Sequence, residues 1–118
     1  MADRVSVKIP AKAAYLSLAR LCASGICANA DVDMDTLADI RLILTESCNL
    51  SFRIGRSEEI TIVLLPQEDG LEFRVSGIAE RDLEDDEMLR ISSMIIESLA
   101  DSVSFGEDEI VVVKKFGD

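Results

Sequence analysis

The residues whose types and spacing could do chemistry lie in segment 39–50, which reads Asp-Ile-Arg-Leu-Ile-Leu-Thr-Glu-Ser-Cys-Asn-Leu. Glu46 is the one acid in the mostly apolar run that follows the first residues of this segment, and Asn49 comes one helical turn later. A carboxylate can act as a general base, and an amide oxygen can ligate a magnesium ion. The pair is therefore the first candidate for a catalytic site.

Other common chemistries are excluded by composition. The chain has no histidine, which rules out imidazole bases, histidine metal ligands and Ser-His triads. It has three cysteines, an odd number, and neither the pair Cys22 and Cys27 nor Cys48 has the spacing of a zinc site. We expect them to be small buried side chains. With no signal peptide in the sequence, we expect a cytoplasmic protein.

The net charge of the chain limits the classes of partner that it can bind. The 23 acidic residues exceed the 12 basic ones, for a net charge of −11. Such a surface repels nucleic acid and anionic membranes, and no apolar run approaches the roughly 20 residues needed to span a bilayer. The acidity points to protein partners with basic surfaces, although solubility explains it equally well. The 118 residues are expected to form one domain, 1–118.

Hydrophobic periodicity predicts the element order β-α-α-β-β-α-β, a two-layer α+β sandwich with helices on one face of a mostly antiparallel sheet. The first strand is expected at an edge, and the central hairpin beside the last strand. Asp33 or Asp35 should cap the second helix, which should end near Gly55. The predicted inward residues are Tyr15, Leu18, Cys22 and Ile26 of the first helix, Leu37, Ile40, Ile43, Leu44 and Ser47 of the second, and Met88, Ile91, Ile95, Leu99 and Val103 of the third.

Several collinear segments resemble the bacterial anti-sigma factor serine kinases, which belong to the GHKL ATPase superfamily. The resemblance covers nearly the whole chain and is clearest in Ile-Pro-Ala-Lys-Ala-Ala-Tyr-Leu-Ser-Leu-Ala-Arg at 9–20, in 39–48, in Ile-Glu-Ser-Leu-Ala-Asp-Ser-Val at 96–103 and in the closing strand. It implies the histidine-kinase-like ATPase fold, with Mg-ATP bound by three motifs.

The first family motif is Glu-x-x-x-Asn, whose glutamate polarises the attacking hydroxyl and whose asparagine binds magnesium. The resemblance gives Glu46 the role of the base, but Leu50 stands where the asparagine belongs. A hydrocarbon cannot ligate magnesium. Asn49 is displaced by one residue, about 100° around the helix axis, so we expect it to serve only if the helix rotates or bulges.

The other two motifs also differ from the family pattern. Gly77 replaces the aspartate that accepts the adenine amino group, and Ala79 replaces the glycine that follows it. Losing that charged acceptor costs about 1.5–3 kcal/mol of binding. Arg90 and Ser92 replace the glycines whose backbone approaches the phosphates, and a side chain there blocks close approach.

The family's long lid over the triphosphate is also missing. About nine residues, 79–87, join the third strand to the third helix, and six of them are acidic. Their charges would repel a triphosphate. The segment is either a solvated loop or a docking patch for a basic partner. We therefore expect no ATP and no magnesium.

The resemblance implies that the protein binds a sigma factor, as family members do. In the family, an antagonist protein releases the sigma factor, and phosphorylation of a serine in the antagonist inactivates it. Family members present an arginine of the first helix to the partner. Arg20 stands at that position, so it is either a partner contact or an ordinary solvated charge.

The sequence thus predicts a non-catalytic anti-sigma-like regulator. The alternatives are an active serine kinase with a shifted Glu46 and Asn49 magnesium site, and an assembly subunit; a homodimer is compatible with each. Glu46 is either a catalytic relic or a residue bonded at the sheet–helix interface.

Overall fold

The computed structural model describes residues 3–117 and shows a five-stranded antiparallel sheet with three helices on one face. Two short 3-10 helices, Ala13–Tyr15 and Glu80–Asp85, precede the first and third helices. In chain order the elements are β1 (Val5–Pro10), α1 (Leu16–Cys27), α2 (Met34–Ile54), β2 (Glu59–Gln67), β3 (Gly70–Ser76), α3 (Glu87–Leu99), β4 (Ser102–Phe105) and β5 (Glu109–Lys115).

The sheet order is β1-β2-β3-β5-β4, which confirms the predicted fold class, the edge position of β1 and the central hairpin beside the last long strand. The predicted element order was wrong in omitting β4. Val103 follows Leu99 at helical spacing, so it was placed on the third helix. Ala100 instead takes an extended conformation with ψ 155°, and the four residues after Asp101 pair with β5.

One face of the sheet forms the core. Its central rows, Ile62 beside Val75 and Leu64 beside Phe73, are at most 1 % exposed and lie under the helices. On the opposite face Arg74 is half-buried and bonds Glu72 across a distance of 2.9 Å. This pattern of one apolar and one mixed face is typical of a sheet covered by helices on one side.

α2 is the central helix, and its sequence predicted it well. Asp33 caps it by accepting a hydrogen bond from the Thr36 N–H at 2.7 Å, and Gly55 ends it with φ 68°. Both were predicted. Of the five predicted inward residues, Leu37 is half-buried and the rest are buried, namely Ile40, Ile43, Leu44 and Ser47.

The inward faces predicted for α1 and α3 were confirmed only in part, because the fully buried residues lie about one position away. Of the predicted residues, Cys22, Ile26 and Leu99 are half-buried against the core, and Ile95 is half-buried. The buried residues are Ala19, Ala23 and Cys27 on α1, and Leu89, Ser93 and Ile96 on α3. On α1 the buried side chains are all small, whereas on α3 the large Leu89 and Ile96 are buried together with Ser93. The predicted core residues that are exposed are Tyr15, Leu18, Met88 and Ile91.

The cysteines behave largely as predicted. Cys27 and Cys48 are buried and Cys22 is half-buried. Burial raises the pKa of the Cys48 thiol to about 12, so this thiol stays protonated and unreactive at neutral pH. No helix within residues 3–117 combines the length and the apolar character that crossing a membrane would require.

Candidate functional site

A depression of about 510 Å³ lies between α2 and α3. Three polar residues singled out from the sequence line it: Glu46 and Asn49 from α2, and Ser92 from α3. The rest of its wall is mostly apolar and consists of Ala13, Phe52, Arg53, Met88 and Leu89. We call this the Glu46 depression. It brings together the carboxylate, the amide and a hydroxyl.

Glu46 and Asn49 share one face of a regular helix. Residues three apart are neighbours on a helix surface, and α2 runs without interruption from Met34 to Ile54. Asn49 thus lies beside Glu46 in a helix without a bulge, and the expectation that it could replace the family's asparagine only after a rotation or bulge stays a prediction. Leu50, at the family's asparagine position, is 1 % exposed and belongs to the core.

The Glu46 carboxylate has no internal partner. Its side chain is half-buried, and none of the hydrogen bonds or ion pairs between residues 3 and 117 reaches it. The alternative of a carboxylate bonded at the sheet–helix interface is therefore wrong for these residues. Its acceptor capacity is left for a ligand or for water.

At the position of the family's adenine-binding aspartate, the backbone conformation favours glycine. Gly77 has φ 82°, a conformation that other residues rarely adopt. A Cβ atom there would lie 2.7 Å from the Ser51 Oγ, which itself donates to the Ser76 carbonyl at 2.8 Å. Backbone conformation and space therefore both disfavour a side chain at this position.

Residues 77–79 do not reach the Glu46 depression. Gly77, Ile78 and Ala79 are all buried, and none of them lines its wall. The Ala79 N–H donates to the Asp82 carboxylate at 2.8 Å. The second family motif therefore lies in buried backbone and does not line the Glu46 depression.

An arginine that the sequence did not single out holds this region together. Arg56 Nη2 donates to both Asp82 carboxylate oxygens at 2.8 Å, and Nη1 donates to the Gly77 carbonyl and to Asp108 Oδ1 at 3.0 Å. We call these four residues the Arg56 cluster. It joins the loop after α2 to the β3–α3 connection and to the β4–β5 turn.

The rest of the β3–α3 connection is also fixed by arginines. Arg53 Nε bonds Asp86 at 2.8 Å, and Asp86 caps α3 by accepting from the Met88 N–H. Arg90 Nη1 donates to the Leu83 and Glu84 carbonyls. The connection is therefore tied to the protein along much of its length, and Arg90, expected near the phosphates, is engaged with it.

The Arg56 cluster makes stability depend on pH. Partial burial raises the pKa of Asp82, but the hydrogen bonds from Arg56 and from the Ala79 N–H outweigh it and hold that pKa below its usual value. The stabilisation contributed by the Asp82 carboxylate is therefore fully present above about pH 4 and is lost as the pH falls through the folded-state pKa of Asp82.

We expect Arg56→Met to lower the free energy of unfolding by about 1–2 kcal/mol at neutral pH.

Urea denaturation at pH 7 and at pH 3 checks this, with Arg41→Met as the control because Arg41 is exposed and forms no ion pair within residues 3–117. The difference between wild type and Arg56→Met should shrink at pH 3. An equal difference at both values would contradict the role assigned to the cluster.

Arg20 lies at a second surface, a groove of about 280 Å³ between α1 and α2. Its guanidinium donates to Thr45 Oγ1 and Ser17 Oγ, both at 3.3 Å. Arg41 and the 45 % exposed Leu42 line the same groove. The exposed Leu18 and Leu21 are on α1, the helix that carries Arg20. We call Arg20, Arg41 and Leu42 the Arg20 surface, a locally basic and partly apolar region on an acidic protein.

The chain is similar to bacterial proteins named serine-protein kinase RsbW. Those of Listeria monocytogenes serovar 1/2a and Listeria innocua serovar 6a are each 34 % identical to it over 134 residues, covering 96 % of this chain and 85 % of the relative. One from Bacillus cereus strain ATCC 10987 is 32 % identical over 77 residues, covering 63 % of this chain and 48 % of the relative. No family model matches the chain.

The matched span of 134 positions is longer than the whole 118-residue chain, so the Listeria relatives carry additional residues within the matched region.

Proposed function

Since the chain belongs to the family of bacterial anti-sigma factor serine kinases, we propose that it regulates transcription by binding a sigma factor or an anti-sigma factor antagonist through protein contacts, without binding ATP and without kinase activity. The relatives are named as serine-protein kinases. The proposal for this chain therefore rests on its own residues at the nucleotide positions.

The backbone at Gly77 is the observation that best supports the proposed loss of nucleotide binding. The positive φ and the 2.7 Å approach to Ser51 Oγ disfavour the aspartate that would accept the adenine amino group. The Arg56 cluster then fixes the same segment to Asp82 and Asp108. Both features support a segment that does not accept an adenine nucleotide.

An active serine kinase is the second candidate, and the Glu46 depression favours it. Glu46 and Asn49 lie together there and offer two oxygen ligands and a base. Against it, Glu46 has no asparagine four residues on, and the exposed acids Glu80, Glu84 and Asp85 of the connection oppose a triphosphate. We rank it second for these reasons.

The Arg20 surface supports partner binding. Arginine is enriched at protein interfaces, and Arg20 and Arg41 line the groove beside the exposed Leu42. The complementary partner segment is acidic with apolar residues beside the acids.

The proposal is tested by mixing the chain with the sigma factors and antagonist proteins of its organism in nucleotide-free buffer, followed by size-exclusion chromatography with light scattering. We expect a stoichiometric complex with one of them, and no phosphoserine in either protein after incubation with Mg-ATP. Phosphoserine on an antagonist protein would restore the kinase.

A further inference from the structure

We propose that the Glu46 depression binds a basic side chain, arginine or lysine, of a protein partner, with the cationic group at Glu46 and the aliphatic stem on the apolar wall. The inference rests on the proposed function in one respect, because it requires that no nucleotide occupies the depression. It adds a second contact site, of opposite charge to the Arg20 surface.

Charge is the first argument. The Glu46 carboxylate has no bonding partner within residues 3–117, and Asn49 and Ser92 add an amide oxygen and a hydroxyl oxygen to the same wall. The wall also contains Arg53, but its guanidinium is bonded to Asp86 by two hydrogen bonds. The depression therefore presents an uncompensated carboxylate with neutral acceptors beside it, which favours a cation.

The apolar wall is the second argument, and it is independent of charge. Phe52, Met88 and Leu89 contribute hydrocarbon and aromatic surface to the depression. Arginine and lysine bury their methylene stems on such surfaces while the charged end reaches a polar group. A small hydrated cation would leave this surface unused.

The surroundings favour a protein as the source of the basic side chain. Met88, Ile91 and Met94 of α3 are 52 %, 44 % and 66 % exposed, so apolar surface extends from the depression along the helix. In protein interfaces such surface excludes water around a central inserted side chain. Thr45 of the Arg20 groove and Glu46 are adjacent on α2, so one partner can contact both sites.

Other occupants fit less well. A phosphate group would face the Glu46 carboxylate directly. A magnesium ion would find only Glu46 and Asn49 as strong oxygen ligands, and residues 3–117 contain no cluster of three or more metal-ligating side chains of the His, Cys, Asp and Glu types. A basic side chain is the occupant that uses both the carboxylate and the apolar wall.

The first experiment titrates the whole chain with butylguanidinium, a mimic of the arginine side chain, and follows the backbone amide shifts by NMR. Butylurea, which has a similar shape and no charge, is the matched ligand control. We expect butylguanidinium to cause saturable shifts at Glu46, Asn49 and Ser92. Butylguanidinium should bind the Glu46→Gln variant at least about tenfold more weakly than the wild type, and butylurea should bind the wild type at least about tenfold more weakly than butylguanidinium does.

A second acidic cavity provides the control for unspecific attraction. It has a volume of about 630 Å³ and is lined by Asp31, Glu68 and Asp69 among others. Glu68→Gln should leave butylguanidinium binding unchanged. Equal shifts around both cavities, no saturable binding, or binding insensitive to Glu46→Gln would overturn the inference, once thermal unfolding shows that each variant is folded.

The partner complex supplies the second experiment. Glu46→Gln should weaken the sigma factor or antagonist complex about tenfold, and Glu68→Gln should not. If butylguanidinium binds but the complex is unaffected, the site takes a small cation and the assignment to a partner side chain is wrong. If Mg-ATP displaces butylguanidinium, the proposed function fails; if neither ligand binds, this inference alone fails.

Discussion

Replacing Gly77 with aspartate, which restores the family's residue, should destabilise the protein and should not create a nucleotide site. The positive φ and the Cβ contact with Ser51 Oγ together should lower the free energy of unfolding by about 2–4 kcal/mol. Urea denaturation measures the loss. The double variant Gly77→Asp with Ser51→Ala should recover the part due to the contact, because the Ser51 Cβ is 3.9 Å away.

Gly25→Ala is the matched control for this prediction. Gly25 is exposed near the end of α1, and a Cβ there would meet nothing within 4 Å. The change should leave stability unaltered or raise it by about 0.5–1 kcal/mol. A Gly77→Asp variant as stable as the wild type and able to bind ATP would contradict the proposed role of Gly77 in the loss of nucleotide binding.

Arg20→Glu should weaken the complex with the partner about 100-fold, equivalent to about 2.7 kcal/mol. The reversal places a carboxylate where an acidic partner segment is expected and also removes the hydrogen bond to Thr45. Isothermal titration calorimetry on the complex found by size-exclusion chromatography provides the measurement.

Lys8→Glu makes the same change in net charge at a different place. Lys8 is exposed and pairs with Thr61, on the face of the sheet away from the helices. The Lys8→Glu change should alter the affinity for the partner by less than about threefold. If the two reversals weaken binding equally, the effect is one of overall charge, and the Arg20 surface is not the contact site.

The fold could be predicted from the sequence wherever local signals agreed. α2 has a capping aspartate, a terminal glycine and a regular apolar repeat, and all of these were confirmed. The inward faces of α1 and α3 were predicted about one residue away from the buried ones. On α1 the buried side chains are small, Ala19, Ala23 and Cys27, and the prediction had followed the larger apolar residues beside them. On α3 the buried Leu89 and Ile96 lie next to the apolar residues that were predicted, so the apolar pattern alone could not fix the face.

The candidate site could be predicted only in part. The proximity of Glu46 and Asn49 follows from helical spacing, and the structure places both in the Glu46 depression. The Arg56 cluster could not be predicted, because Arg56 is 21, 26 and 52 residues from Gly77, Asp82 and Asp108. Only the folded sheet brings these loops together, and no local pattern marks an arginine that will bridge them.

The central claim, a family member that has kept the fold and lost the nucleotide, is tested most directly by calorimetric titration of the chain with Mg-ATP and with ADP up to millimolar concentration. We predict no binding heat beyond dilution for either nucleotide. Micromolar binding that disappears in Glu46→Ala or Asn49→Ala would contradict the account and identify the Glu46 depression as a working nucleotide site.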